Sequence, residues 1–221
     1  MAGRPLPRSW YDRPSVEVAP ELLNKLLVVR AGTGRAGGRG EGRASGRVDV
    51  RADVRAGRIV EVEAYAGADD PASHAYRGET ARNTVMFGPP GHLYVYFTYG
   101  MHWCANVTCA AAGTAQAVLL RALAPVAGIE AMQAARGERV PARDLCRGPA
   151  RLTKALGINR ADDGTDVVGP GRITVVDDGV APPIEPGQGG RVGLSVAGEV
   201  PWRWWVAGDT HVSAFRSGGK R

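Results

Sequence analysis

Arg58-Ile59-Val60-Glu61-Val62-Glu63-Ala64-Tyr65 alternates apolar and polar residues from Val60 onward, the period-2 mark of a β-strand. Successive strand side chains leave on opposite faces, so Val60, Val62 and Ala64 share one face while Glu61, Glu63 and Tyr65 share the other. The valine face belongs on a core. Two carboxylates and a phenol then point together at something else. Residues 92–98 repeat the pattern, with Tyr94 and Tyr96 on one face and Leu93, Val95 and Phe97 on the other. Tyr99-Gly100 marks a turn and 103–108 a returning strand, which makes a hairpin with an aromatic at its tip.

Working outward, residues 116–122 read as a further strand, apolar until Arg121. Residues 129–136 and 145–156 read as helices, and 172–212 as short strands joined by Gly and Pro turns. On the other side, 16–30 shows a helix-like apolar pattern whose end, Leu26-Leu27-Val28-Val29, could equally open a strand. Between it and the first strand lies a Gly/Arg/Ala-rich insertion, about 31–46, with little to bury, read as a loop. Arginines fall at every fourth position from Arg35 to Arg55, but the glycines argue against a helix there. Residues 67–90 are rich in turn formers and polar groups, a composition typical of functional or disordered loops. With no internal repeat and no linker, one α+β domain over 1–221 with short polar termini is the simplest account.

Composition bounds the function. The chain has 221 residues, a formal charge of +6 and a pI near 9.6, a balance that attracts polyanions, nucleic acid first among them. It contains no apolar run of the roughly 18 residues that a spanning helix needs, and its first residues lack the apolar stretch of a secretory signal. The expectation is therefore a soluble, cytoplasmic protein. Three cysteines, Cys104, Cys109 and Cys146, have no C-x-x-C spacing, so free thiols are expected rather than disulfides or zinc.

Taken singly, the notable residues have ordinary readings. Tyr99 could fold back onto the core, Glu61, Glu63 and Tyr65 could decorate a solvated face, and His74 could be a surface histidine. Arg121 after apolar residues is harder to dismiss, because a buried cation needs a carboxylate partner. In combination, a basic protein with a protruding aromatic, a stack of tyrosines and an acid paired with a buried arginine suits an enzyme acting on a nucleobase. Such an enzyme must rotate its nucleotide out of the duplex. A side chain wedged into the gap offsets part of the cost.

The runs R-I-V-E-V-E-A-Y, M-F-G-P-P-G-H-L-Y-V-Y-F-T-Y-G-M-H-W-C-A-N-V-T, A-V-L-L-R-A-L-A-P, L-C-R-G-P-A-R-L-T-K-A-L-G-I-N and R-V-G-L-S-V-A-G-E-V-P-W-R-W-W-V-A-G carry a resemblance to the alkyladenine (3-methyladenine) DNA glycosylases. The runs fall in order, with His74 between the first two, and the resemblance covers nearly the whole chain, from about Asp12 to Ser213. The resemblance implies a curved antiparallel sheet with a protruding hairpin and surrounding helices, similar to the C-terminal domain of methionyl-tRNA formyltransferase. It implies Glu63 as the general base that activates water and Arg121 as the group that holds the water and orients the acid. Tyr65, His74 and Tyr96 would contact the flipped base, Asn106 would disfavour the amino group of guanine, and Tyr99 would intercalate. Glu61 has no catalytic role to transfer and is treated as structural.

The substrate so implied is double-stranded DNA with damaged purines, with no metal, no cofactor, no membrane and no obligate protein partner. The enzyme would be a monomer, nucleoid-associated if bacterial. No lysine stands among the matched pocket positions, so base removal without a Schiff base is expected. Two other readings compete. A non-catalytic nucleic-acid-binding module of the same fold would need neither Glu63 nor Arg121. A metal-dependent hydrolase would have to use Glu61, Asp69, Asp70 and His74, whose spacing fits no familiar cluster.

Overall fold

The computed structural model describes residues 3–31 and 54–215. The insertion at about 31–46 therefore lies almost wholly outside the described residues, as does the arginine series up to its last member, Arg55. A short lead strand β1 (Arg4–Pro5) and turn α1 (Arg8–Tyr11) precede α2 (Ser15–Leu22) and β2 (Leu26–Arg30). The ambiguous end of the 16–30 pattern thus resolves as a strand. Pro20 leaves α2 two further helical residues, and Asn24 in the left-handed region (φ 68°) turns the chain into β2.

The long strands β3 (Val54–Tyr65) and β6 (Gln116–Ala127) form the centre of an antiparallel sheet. Between them come α3 (Thr84–Phe87), β4 (Leu93–Thr98) and β5 (His102–Cys109). After β6 follow α4 (Ile129–Arg136), α5 (Pro149–Leu156), β7 (Ile173–Asp177), β8 (Gly187–Gly189) and β9 (Arg203–Trp205). The sheet runs β1-β7-β2-β3-β6-β5-β4, and β9 joins β3 beyond the end of β2 and carries β8 on its outer edge. It is a curved antiparallel sheet with few helices, in an α+β arrangement. The helix expected over 145–156 begins later, at Pro149. Gly148 stands at φ 130°, outside helical space, and proline suits the first helical turn because its missing N–H is needed by no one there.

Both faces of the sheet are covered. The main core gathers Ile59, Val62, Ala64, Leu93, Val95, Val107, Val118 and Leu120 with Leu22 of α2 and Leu152 of α5. On the opposite face Tyr94, Ala117, Ala75 and Met86 form a smaller cluster, with Tyr96 against it. The alternation at 92–98 is kept. At 58–65 it is broken once: Ile59 pairs with Leu123, Glu61 with Ala122 and Val62 with Leu120. This irregularity puts Ile59 in the main cluster and Val60 outside it, correcting the expected Val60–Val62–Ala64 face. Such bulges re-aim side chains and concentrate near functional sites.

Candidate active site

The register explains why distant residues meet. Tyr94 pairs with Asn106, Asn106 with Leu119, Leu119 with Glu63, and Glu63 with Arg203. Directly opposed residues on neighbouring strands share a face, so five strands, β4-β5-β6-β3-β9, present one row of side chains to the smaller cluster's side. In the break beside that row, where Arg121 has no partner in the ladder, Arg121 reaches both carboxylates. Its Nε donates to Glu61 at 2.9 Å and an Nη approaches Glu63 at 3.2 Å.

Glu61 and Glu63 are fully buried, so the solvated-face reading fails. Burial of ionised carboxylates is tolerable only with cations and hydrogen bonds around them. Glu61 receives the Ser213 N–H at 2.7 Å, the Ser213 hydroxyl at 2.9 Å and Arg121, and lies 3.2 Å from Arg203 Nε. Glu63 receives the Val192 N–H on Oε1 at 2.7 Å and the Tyr65 hydroxyl on Oε2 at 2.9 Å. Burial opposes the charge on Arg121, but Glu63 and Glu61 outweigh it and hold the guanidinium above its usual pKa. Burial and the charge of Glu63 push the Tyr65 phenol well up, so it remains a donor. Arg203 is lowered by burial, with partial relief from Glu61.

Beside this cluster opens a cavity of about 380 Å³ lined by Tyr65, Ser73, His74, Tyr94, Tyr96 and Asn106, with Ala72, Met86 and Leu194 completing the wall. All four expected base-contacting residues, Tyr65, His74, Tyr96 and Asn106, therefore meet at one place. His74 Nδ1 lies 3.1 Å from the Tyr94 hydroxyl, and its ring stands edge-on to Tyr96 with centroids 4.5 Å apart. Burial, then the nearby charge of Arg82, lower the His74 pKa, so its ring is neutral at pH 7. Burial raises the Tyr94 phenol to about 12 and pushes that of Tyr96 well above its ordinary value. The Asn106 amide donates to the Tyr94 carbonyl at 3.2 Å, which fixes its side chain at the wall.

Tyr99 is 78% exposed. The β4–β5 turn closes with the Met101 N–H on the Thr98 carbonyl at 3.2 Å, and Tyr99 and Gly100 have φ of 52° and 66°. Two consecutive left-handed residues mark a type I′ hairpin turn, and a bulky side chain rarely occupies such a position. The tip therefore stands free of the core. Phe97 and Trp103 pack against each other at its base, 4.7 Å between centroids.

The residues of the metal reading separate: Asp70 pairs with Arg191, Glu61 with Arg121, and His74 with Tyr94. The sequence reading missed Ser73, Met86 and Leu194 in the wall and Arg191, Arg203 and Ser213 behind it. Tyr94 had a signal in its period-2 relation to Tyr96; the others come from loops, the one-turn α3 and a three-residue strand without local pattern.

Comparison with known proteins agrees with the geometry. The family profile described as methylpurine-DNA glycosylase matches residues 46–210. A protein of Burkholderia lata named "Putative 3-methyladenine DNA glycosylase" is 53% identical, over 96% of this chain and 92% of its own length. Proteins of the same name from Frankia casuarinae and Streptomyces avermitilis are 48% and 45% identical, over 94% and 96% of this chain and 91% and 92% of their own. Glu63, Arg121 and the whole cavity wall fall inside the matched span, and this chain belongs to the methylpurine-DNA glycosylase family.

Proposed function

We propose that this chain is a monofunctional base-excision-repair glycosylase that flips alkylated or deaminated purines from duplex DNA and hydrolyses their N-glycosidic bond. One observation carries the reading: a fully buried carboxylate, Glu63, is joined by a hydrogen bond to Tyr65 of the cavity wall and contacts Arg121 on its other oxygen. A purine stacked on Tyr65 and Tyr96 would lie next to the one group able to activate water.

In this scheme the bond from C1′ to the base nitrogen breaks with its electron pair leaving on the purine. Positive charge builds on the sugar, where Glu63 stabilises it. Water attacks C1′, its proton passes to Glu63, and an abasic sugar and the free base remain. Arg121 and the Val192 N–H orient Glu63, and a carboxylate retains lone pairs for the water after those contacts. Alkylated purines already carry positive charge, which favours both departure and stacking on the tyrosines. His74, neutral at pH 7, serves as a hydrogen-bonding wall. Asn106 excludes the guanine amino group, and Tyr99 fills the gap left in the duplex.

The pocket contains no lysine. Lys25 is bound to Asp177 and Lys154 lies on α5, so among the described residues no lysine amine stands at the pocket to form a Schiff base with the sugar. A borohydride-trapped adduct would contradict this part. The main test is single-turnover base release, in EDTA, from duplexes carrying one hypoxanthine, ethenoadenine or methylated purine. Wild type should release base and Glu63→Gln should be slower by at least about a hundredfold, the usual scale of a general base. Tight lesion binding without release from any of these duplexes would instead indicate a nucleic-acid-binding module.

A further inference from the structure

Behind Tyr65 lies a buried ion pair that this mechanism does not use. Arg191 and Asp70 are both excluded from solvent and meet through two parallel bonds of 2.5 and 2.9 Å. The Arg191 guanidinium stacks on the Tyr65 ring at 4.8 Å and on Trp202 at 5.3 Å, and it does not line the cavity. The same two Nη groups also reach the carbonyls of Ala64, at 3.1 Å, and Ala197, at 3.0 Å, while the buried Nε has no hydrogen-bond partner among the described residues. Asp70 in turn accepts the N–H groups of Ala66 at 3.3 Å and Ala72 at 3.1 Å. The residue after Arg191 is Val192, whose N–H is the 2.7 Å donor to Glu63.

All of these anchors but Ala197 sit at or within two residues of a working group: Ala64 and Ala66 flank Tyr65, Ala72 precedes Ser73 and His74 of the wall, and Val192 grips Glu63. A buried ion pair supplies little stability over an apolar replacement, because desolvation consumes the attraction. What a planar guanidinium fork does supply is fixed orientation, which a lysine ammonium cannot copy. We infer that Asp70 and Arg191 are positioning residues that lock the Glu63 carboxylate and the cavity wall into one geometry. The inference rests on the proposed function, since it assigns the pair to that same site.

The test measures Arg191→Lys and Asp70→Asn by single-turnover release at saturating enzyme, alongside lesion-duplex Kd and circular dichroism at a temperature where each is folded. Asp70→Asn leaves a buried cation without its counter-ion, so if it does not fold, Arg191→Lys, which keeps both charges, provides the reading. A release rate lowered tenfold or more, with Kd within threefold of wild type, is expected. A folded variant with lower thermal stability but a release rate within threefold would overturn the inference and leave the pair purely structural. Wild-type protein that releases no base from any of the tested duplexes would sink the proposed function itself, and this role with it. Normal wild-type release with unaffected variants sinks the pair alone.

Discussion

Glu63 and Tyr99 occupy opposite extremes of the same sheet. Glu63 is fully buried under three donors, in a cluster where Glu61, Arg121 and Arg203 balance two negative charges with two positive ones. Tyr99 is exposed, at a turn whose backbone is unfavourable for a bulky residue. In the first region chemistry and folding are entangled, because a cation removed for kinetic reasons also strands two carboxylates. In the second they are separable, because the fold takes almost nothing from the tip. A molecule built this way concentrates its stability risk around Glu63 and leaves the hairpin tip free to vary.

The comparison breaks most visibly at Arg121. Replacing it with methionine leaves Glu61 and Glu63 facing Arg203 alone, and removing one partner of a buried pair costs about 3–5 kcal/mol. Urea denaturation at pH 7 should register that loss; one below about 1 kcal/mol would mean the cluster is not electrostatically coupled. At the tip, Tyr99→Ala keeps the same backbone demand and removes only the ring. Stability should change by no more than about 0.5 kcal/mol. Affinity for a lesion duplex should fall about tenfold, within the roughly 1–3 kcal/mol of lost base stacking. Unchanged affinity would deprive Tyr99 of its role.

The smallest effect sharpens the comparison inside the cavity. The folded pKa of His74 is lowered by burial and by Arg82, so below the unfolded value of about 6.5 the unfolded chain binds the proton more readily. Stability from this group is therefore present above that value and is lost as pH falls through the folded pKa. Wild type should lose more stability between pH 7.5 and pH 5 than His74→Gln does, measured by urea melts. Equal losses would place the histidine in a solvated environment.

Much of this was legible in local pattern. Alternation at 58–65 and 92–98 identified two strands and the faces carrying Glu63, Tyr65 and Tyr96, and the tip followed from Tyr99-Gly100 between them. Arg121 stood out as a charge in an apolar strand. What sequence reading could not supply is non-local. The bulge that brings Arg121 to both carboxylates depends on the pairing of β3 with β6. Arg203 enters through a three-residue strand with no periodicity to read, and Arg191 meets Asp70 across 121 positions of chain. Glu61 was read as structural, and its bonds to Arg121 and Ser213 fit that reading.

The most direct test places the two regions side by side, measuring lesion-duplex Kd and single-turnover release at saturating enzyme for Glu63→Gln and Tyr99→Ala. Glu63→Gln should keep its Kd within about threefold and lose release by at least about a hundredfold, whereas Tyr99→Ala should lose affinity first. Release by Glu63→Gln within tenfold of wild type would contradict the account, because the buried carboxylate would then not be the group that activates water.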